Sequence, residues 1–173
     1  MRLPESTLTG LDTGRQERGA LWVRRTGLCA LLALVLAGVT GLLGVRTGTS
    51  TASGNGYDLS VTYASVARAG LDVPWQVTVT HPGGFGKEVV LAVTGDYFDI
   101  YETQGFTPDP SSGVRDADTL YLTFDAPDGD VLRVSYDAYI QPSAQVGREA
   151  TVSVVDADLR PLASVDIDTH LVP

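Results

Sequence analysis

Cysteine is almost missing. The 173-residue chain has one, Cys29, which excludes a disulfide scaffold within the chain and any Cys-rich zinc module. Lys87 is the only lysine, and no Gly-rich phosphate loop with a following Lys occurs. Histidine is scarce too: His81 and His170 alone must serve any metal or acid–base chemistry. Basic residues number 12 against 21 acidic ones, a net charge of −9. Such a chain is a poor clamp for DNA or RNA phosphates, so no nucleic-acid partner is expected. No G-x-S-x-G motif is present, and Ser111-Ser112-Gly113 is not a nucleophile elbow. A Ser–His–Asp triad would need His81, in a turn, or His170, three residues from the C-terminus. The expectation is a protein that is not an enzyme, with no cofactor and no metal.

Charge is missing altogether from one long run. Gly27 to Val45 reads GLCALLALVLAGVTGLLGV, 19 residues without a charged side chain. As a helix it would extend about 28 Å, close to the thickness of a bilayer's hydrocarbon core. The run shows only Thr40 where a buried soluble helix would show a polar stripe, so it reads as a transmembrane helix over 27–45. Residues 1–26 read as an irregular cytoplasmic tail, interrupted by Gly10, Gly14 and Gly19. Arg24 and Arg25 abut the run, with Arg2, Arg15 and Arg18 before them, whereas Arg46 is the one basic residue close on the far side. The positive-inside rule then puts the N-terminus in the cytoplasm and residues 46–173 outside, in a single-pass cell-membrane protein. An alternative is a secreted module released by signal-peptide cleavage, since Ser50 and Ala52 form a small-x-small pattern. Cys29 lies near the start of the run, not after it, and TGLC does not match a lipobox. Cys29, Ala33, Ala37 and Gly41 recur every four residues. Ala33, Ala37 and Gly41 thus form a small-residue stripe suited to helix pairing and a possible homo-oligomer. Residues 46–56, RTGTSTASGNG, lack apolar periodicity and read as a flexible tether.

Residues 57–173 alternate with period two. Tyr57, Leu59, Val61 and Tyr63 share one face, as do Val73, Trp75, Val77 and Val79. Val89/Leu91/Val93 and Leu120/Leu122/Phe124 follow, then Leu132/Val134/Tyr136/Ala138/Ile140. Val152/Val154 and Val165/Ile167/Thr169/Leu171 complete the series. These seven runs predict half-buried antiparallel strands in an all-β fold, a single Ig-like Greek-key β-sandwich. HPGGFGK (81–87), APDGD (126–130) and DADLRP (156–161) are the turns, and Asp128-Gly129 is a hairpin signal. Pro74 marks an edge or a bulge. Gly95 to Thr119 is the one long irregular stretch.

The stretch ARAGLDVPWQVTVTHPGGFGKEVVLAV resembles the opening of bacterial surface Ig-like modules, with His81 where their turn usually has Asn. LYLTFDAPDGDVLRVSYDAYI resembles their later hairpin. The YFD and PGGF motifs sit as in small actinobacterial membrane-anchored proteins of unknown function. The resemblance covers about 67–173 and implies a fold, with no catalytic residues to carry over.

Several side chains are candidates for contact or chemistry. Tyr97, Phe98, Tyr101 and Phe106 make GDYFDIYETQGF the most aromatic segment, and they are the candidate binding residues for a membrane or cell-envelope protein partner. Asp166, Asp168 and His170 share one strand face and could ligate a metal, but they alternate with apolar residues like any solvent face. Asp125/Asp128/Asp130, Asp116/Asp118 and Asp156/Asp158 suggest turn chemistry before calcium, which stays open. Residues 46–173 carry 18 acidic and 7 basic side chains, a net charge of −11. That balance disfavours anionic lipids and anionic polymers at the domain's face and favours a protein partner.

Overall fold

The computed structural model describes residues 13–39, 44–102 and 105–172. Two compact units divide the chain, Met1–Gly44 and Val45–Pro173.

The described residues of the first unit include one helix, α1 (Thr13–Val39). Within it Gly19–Val39, 21 residues of mean hydropathy 1.7, is long and apolar enough to cross a membrane. The helix starts at Thr13, not at the expected Gly27. An isolated helical glycine costs only about 1 kcal/mol, and Gly14 and Gly19 stand among good helix formers: Gln16, Glu17, Arg18, Ala20 and Leu21. Val45 packs, partly buried, against the core of the second unit, and residues 40–43 lie outside the described residues.

The second unit is all-β. The seven expected strands are β2 (Tyr57–Ala67), β3 (Asp72–Thr80), β4 (Glu88–Thr94), β7 (Thr119–Asp125), β8 (Val131–Tyr139), β9 (Arg148–Val155) and β10 (Pro161–Leu171). Three more raise the number to ten: β1 (Arg46–Gly54), β5 (Phe106–Thr107) and β6 (Ser112–Asp116). The strands follow one hydrogen-bonded path that curls into two layers. β5–β8–β3–β2 forms one layer and β10–β9–β4–β7–β6 the other. They join where β2 runs parallel to β10 at Val66 and Ala67. The predicted alternation fills the space between them: Trp75, Val77, Val79, Leu91, Val93, Phe124, Val134, Ile140, Val152 and Ile167 are all buried.

β1 replaces the expected tether. It pairs antiparallel with β2 along its whole length, from Gly54↔Tyr57 to Arg46↔Val66. Asn55 and Gly56 make the connecting turn with φ of 52° and 81°. A two-residue hairpin turn with both central φ positive is the geometry that Asn-Gly favours. β1 also rests on β10: Ser50 Oγ donates to the Asp166 carbonyl at 3.0 Å, and Asn55 Nδ2 to the Leu162 carbonyl at 3.0 Å. A Cβ on Gly54 would stand 2.4 Å from that Leu162 oxygen, so the two backbones meet only because residue 54 is glycine.

The Asp128-Gly129 turn is where expected, but it does not close a hairpin. β7 pairs with β4, while β8 pairs with β3 in the other layer. The turn is therefore a corner between layers, tied to its neighbour by Ala126 N–H donating to the Lys87 carbonyl and His81 N–H to the Asp130 carbonyl. Pro74 lies inside a central strand, yet the β2–β3 ladder ends one residue before it, at Tyr63↔Trp75. The missing N–H costs that ladder nothing.

Among the described glycines, Gly147 meets the closest neighbour. A Cβ there would fall 1.7 Å from the Thr169 carbonyl oxygen, whereas Gly129 has nothing within 4 Å. Overpacking a core position typically costs about 1–3 kcal/mol, occasionally more. Gly147→Ala should therefore lose about 3 kcal/mol in chemical denaturation, and Gly129→Ala should melt like the parent. Equal midpoints for the two variants would contradict the β9–β10 geometry.

Candidate functional site

The described residues of the long stretch after β4 include short regular elements. A single 3-10 turn, Tyr97–Ile100, follows Gly95, and β5 and β6 come after it. The turn folds its aromatic side chains back onto the sandwich. Tyr97 is 0% exposed and Tyr101 3%, which corrects their expected role as contact residues: a side chain with no accessible surface cannot meet a partner. Phe98 and Phe106 are partly buried and pack against the same core. Phe98, Tyr101 and Phe106 surround one hub, formed by Trp75 on β3 and Tyr136 on β8, and Tyr97 packs on Phe98 and Tyr101. Trp75 lies edge-on to Phe98 at 5.3 Å and to Phe106 at 6.0 Å, and Phe106 meets Tyr136 at 4.6 Å. Offset and edge-on ring pairs at such separations add to area burial. The indole N–H of Trp75 has no hydrogen-bond partner among the described residues.

The two buried phenols form a polar thread through this cluster. Tyr101 donates to the Tyr97 oxygen at 3.2 Å, and the Tyr97 hydroxyl pairs with Thr169 Oγ1 at 2.8 Å. Thr169, fully buried on the core face of β10, thereby has a partner. Burial raises both phenols above the ordinary tyrosine range, Tyr97 well above it, with the neighbouring Tyr101 adding to the Tyr97 shift. The thread holds the 97–101 segment to β10 and offers no acid or base near neutral pH.

The outward face of β10 carries the acidic candidates. Asp166 and Asp168 line an open cavity of about 400 Å³ with Glu149, Thr94, Thr151 and Tyr63. Asp166 accepts from Thr151 Oγ1 at 2.7 Å, and His170 Nε2 lies 3.1 Å from Asp168 Oδ2. These side chains are exposed and paired with each other or with neighbours. Among the described residues no group of three His, Cys, Asp or Glu side chains is placed to hold a metal ion. Asp156 has a turn role: its Oδ1 accepts the backbone N–H of Asp158 and of Arg160, both at 2.9 Å.

His81, which stands where the turn of the resembled modules usually has Asn, has a structural task. Its ring stacks on Tyr57 at 4.1 Å and 7°. Nδ1–H donates to the Gly56 carbonyl at 2.8 Å, which fastens the β1–β2 turn. The adjacency of Gly56-Tyr57 to a β3 end was the available signal, hidden because β1 was not recognised. Ala33 and Ala37 lie on α1 four residues apart, and Gly41 lies outside the described residues.

No known protein-family model matches this chain, and no curated protein matches it.

The phenol thread makes two measurable demands. Tyr97→Phe removes the partner of buried Thr169 and should cost about 1–3 kcal/mol in denaturation. The raised phenols also set a pH dependence. Folded Tyr97 and Tyr101 stay protonated where unfolded ones, near 10.0, ionise. Their contribution is complete below pH 10 and declines as pH rises above it. Tyr97→Phe should flatten the alkaline limb of the melting profile; a limb unchanged in slope would contradict the thread.

Proposed function

We propose that this chain is a single-pass membrane protein whose extracytoplasmic immunoglobulin-like sandwich contacts a protein partner rather than performing chemistry. The observation that carries the reading is the helical stretch Gly19–Val39. Its large side chains Leu28, Leu31, Leu32, Leu34, Val35 and Leu36 are all more than half exposed. Apolar surface on that scale needs a lipid or protein cover. Arg24 and Arg25 sit toward the start of the stretch, and the sandwich begins at Val45, soon after it ends. This arrangement supports an N-in orientation.

The alternative of a secreted module is disfavoured by β1. Cleavage after Ala52, at the small-x-small pattern, would cut through that strand and remove most of its pairs with β2. With Tyr97 and Tyr101 committed to the core, Phe98 and Phe106 remain as partly exposed contact residues from the aromatic segment. Pairing of helices through Ala33, Ala37 and Gly41 would bring copies or a membrane partner together.

Topology tests it. In a Cys29→Ser background, Ala157→Cys should react with an impermeant maleimide on intact cells, and Ser6→Cys only after lysis. The reverse pattern would overturn the orientation. A mature N-terminus near Ser53, measured by mass, would overturn the anchor.

A further inference from the structure

The chain contains one asparagine, Asn55, and glycine follows it. Asparagine is a thermolabile residue, and most so before glycine, whose nitrogen has no neighbouring Cβ to hinder its attack on the side-chain amide. Both residues are exposed, so water and base reach them. They form the β1–β2 turn, with φ of 52° and 81°. The turn is held from several sides. Asn55 Nδ2 donates to the Leu162 carbonyl at 3.0 Å, and His81 Nδ1–H donates to the Gly56 carbonyl at 2.8 Å. Gly54 closes the ladder opposite Tyr57. The Asn55 side chain is thus a clasp. It fastens the hairpin to the start of β10, far along the seam from the β2–β10 pairs at Val66 and Ala67. The nitrogen that makes the clasp is also the leaving group of deamidation. In that reaction the Gly56 nitrogen loses its proton and bonds to Asn55 Cγ, the Cγ–Nδ2 bond breaks, and Nδ2 departs as ammonia. Water then opens the cyclic imide at either carbonyl, giving aspartate or isoaspartate. Nothing is oxidised or reduced, and no reactant beyond water and base is needed.

We infer that Asn55 is a deamidation site that works as a one-way latch on β1: closed, the clasp shields it, and once opened it converts and cannot close again. Shielding follows from the geometry. The glycine nitrogen reaches Cγ only when the side-chain amide turns toward its own backbone, and the bond to Leu162 holds it toward β10 instead. The dihedrals of the turn are fixed by the ladder that closes at Gly54 and Tyr57. Conversion therefore waits on local opening of β1, and its rate follows the open population. Irreversibility follows from the products. Aspartate presents a carboxylate oxygen to the Leu162 carbonyl, acceptor against acceptor with no donor between them. Isoaspartate adds a methylene to the main chain, which a two-residue turn with both φ positive does not accommodate. Either product leaves β1 its β2 ladder and the Ser50 bond to Asp166, without the fastening at the turn. The inference concerns the sandwich alone and holds with or without a membrane.

The test ages the full chain in detergent micelles, in mildly alkaline buffer, beside a synthetic peptide of residues 51–58 as the open reference. Fragment masses report the exchange of the side-chain NH2 for OH, and residue 55 is the one asparagine that can show it. The peptide should convert at least about tenfold faster than the folded chain, as a small open population requires. His81→Ala removes the bond to the Gly56 carbonyl and the ring stacked on Tyr57, and it should convert faster than the parent. Freshly made Asn55→Asp should exchange the amides of residues 47–54 about tenfold faster than the parent, the worth of roughly one hydrogen bond, with β9 unchanged. Conversion of the folded parent at the peptide's rate would overturn the shielding. Equal rates in the parent and His81→Ala would show that conversion does not wait on this turn. Parental protection of residues 47–54 in Asn55→Asp would overturn the latch.

Discussion

The close approach of β1 to both layers is the constraint on which the rest depends. β2 and β10 pair with each other only at Val66 and Ala67, so elsewhere their seam needs a third element. β1 supplies it, through its ladder to β2 and its side-chain bonds to the β10 backbone at Asp166 and Leu162. Glycine at 54 lets the backbones meet, and His81 holds the turn at Gly56. A segment that seals the domain cannot also act as a slack tether.

The aromatic segment shows a second consequence of the same economy of core. A domain of this size must find bulky side chains to close its ends. Tyr101, Phe98 and Phe106 close one side around Trp75 and Tyr136, with Tyr97 packed on Phe98 and Tyr101. The two phenols join buried Thr169 and so satisfy the polar groups that come with them. Side chains spent in this way are not available for binding, and contact surface must come from the rim.

Period-two alternation carried most of the fold because both layers present one face inward and the other outward. Val73/Trp75/Val77/Val79 and Leu132/Val134/Tyr136/Ala138/Ile140 are buried without exception. β1 escaped because its inner positions are only half-buried and are filled by Gly, Ser and Ala, so its alternation is of exposure, not of hydrophobicity. Asn55-Gly56 marked the turn all the same. Asp128-Gly129 marked a reversal, but a turn residue specifies backbone geometry and not which strand lies beyond it. The aromatic residues were misassigned for a related reason: position outside a strand is not exposure, and the 3-10 turn that returns Tyr97 to the core is too short to leave a period. The outward face of β10 was read correctly, since Asp166, Asp168 and His170 alternate strictly with buried neighbours.

Amide hydrogen exchange of residues 47–54 in the full chain, held in a membrane mimetic, addresses the central claim directly. A strand that seals the sandwich exchanges with it, so these amides should show protection comparable to that of β2 and be lost only in global unfolding. Exchange at the rate of an unprotected chain, with β2 still protected, would contradict the account and restore a flexible tether between the helix and the sandwich.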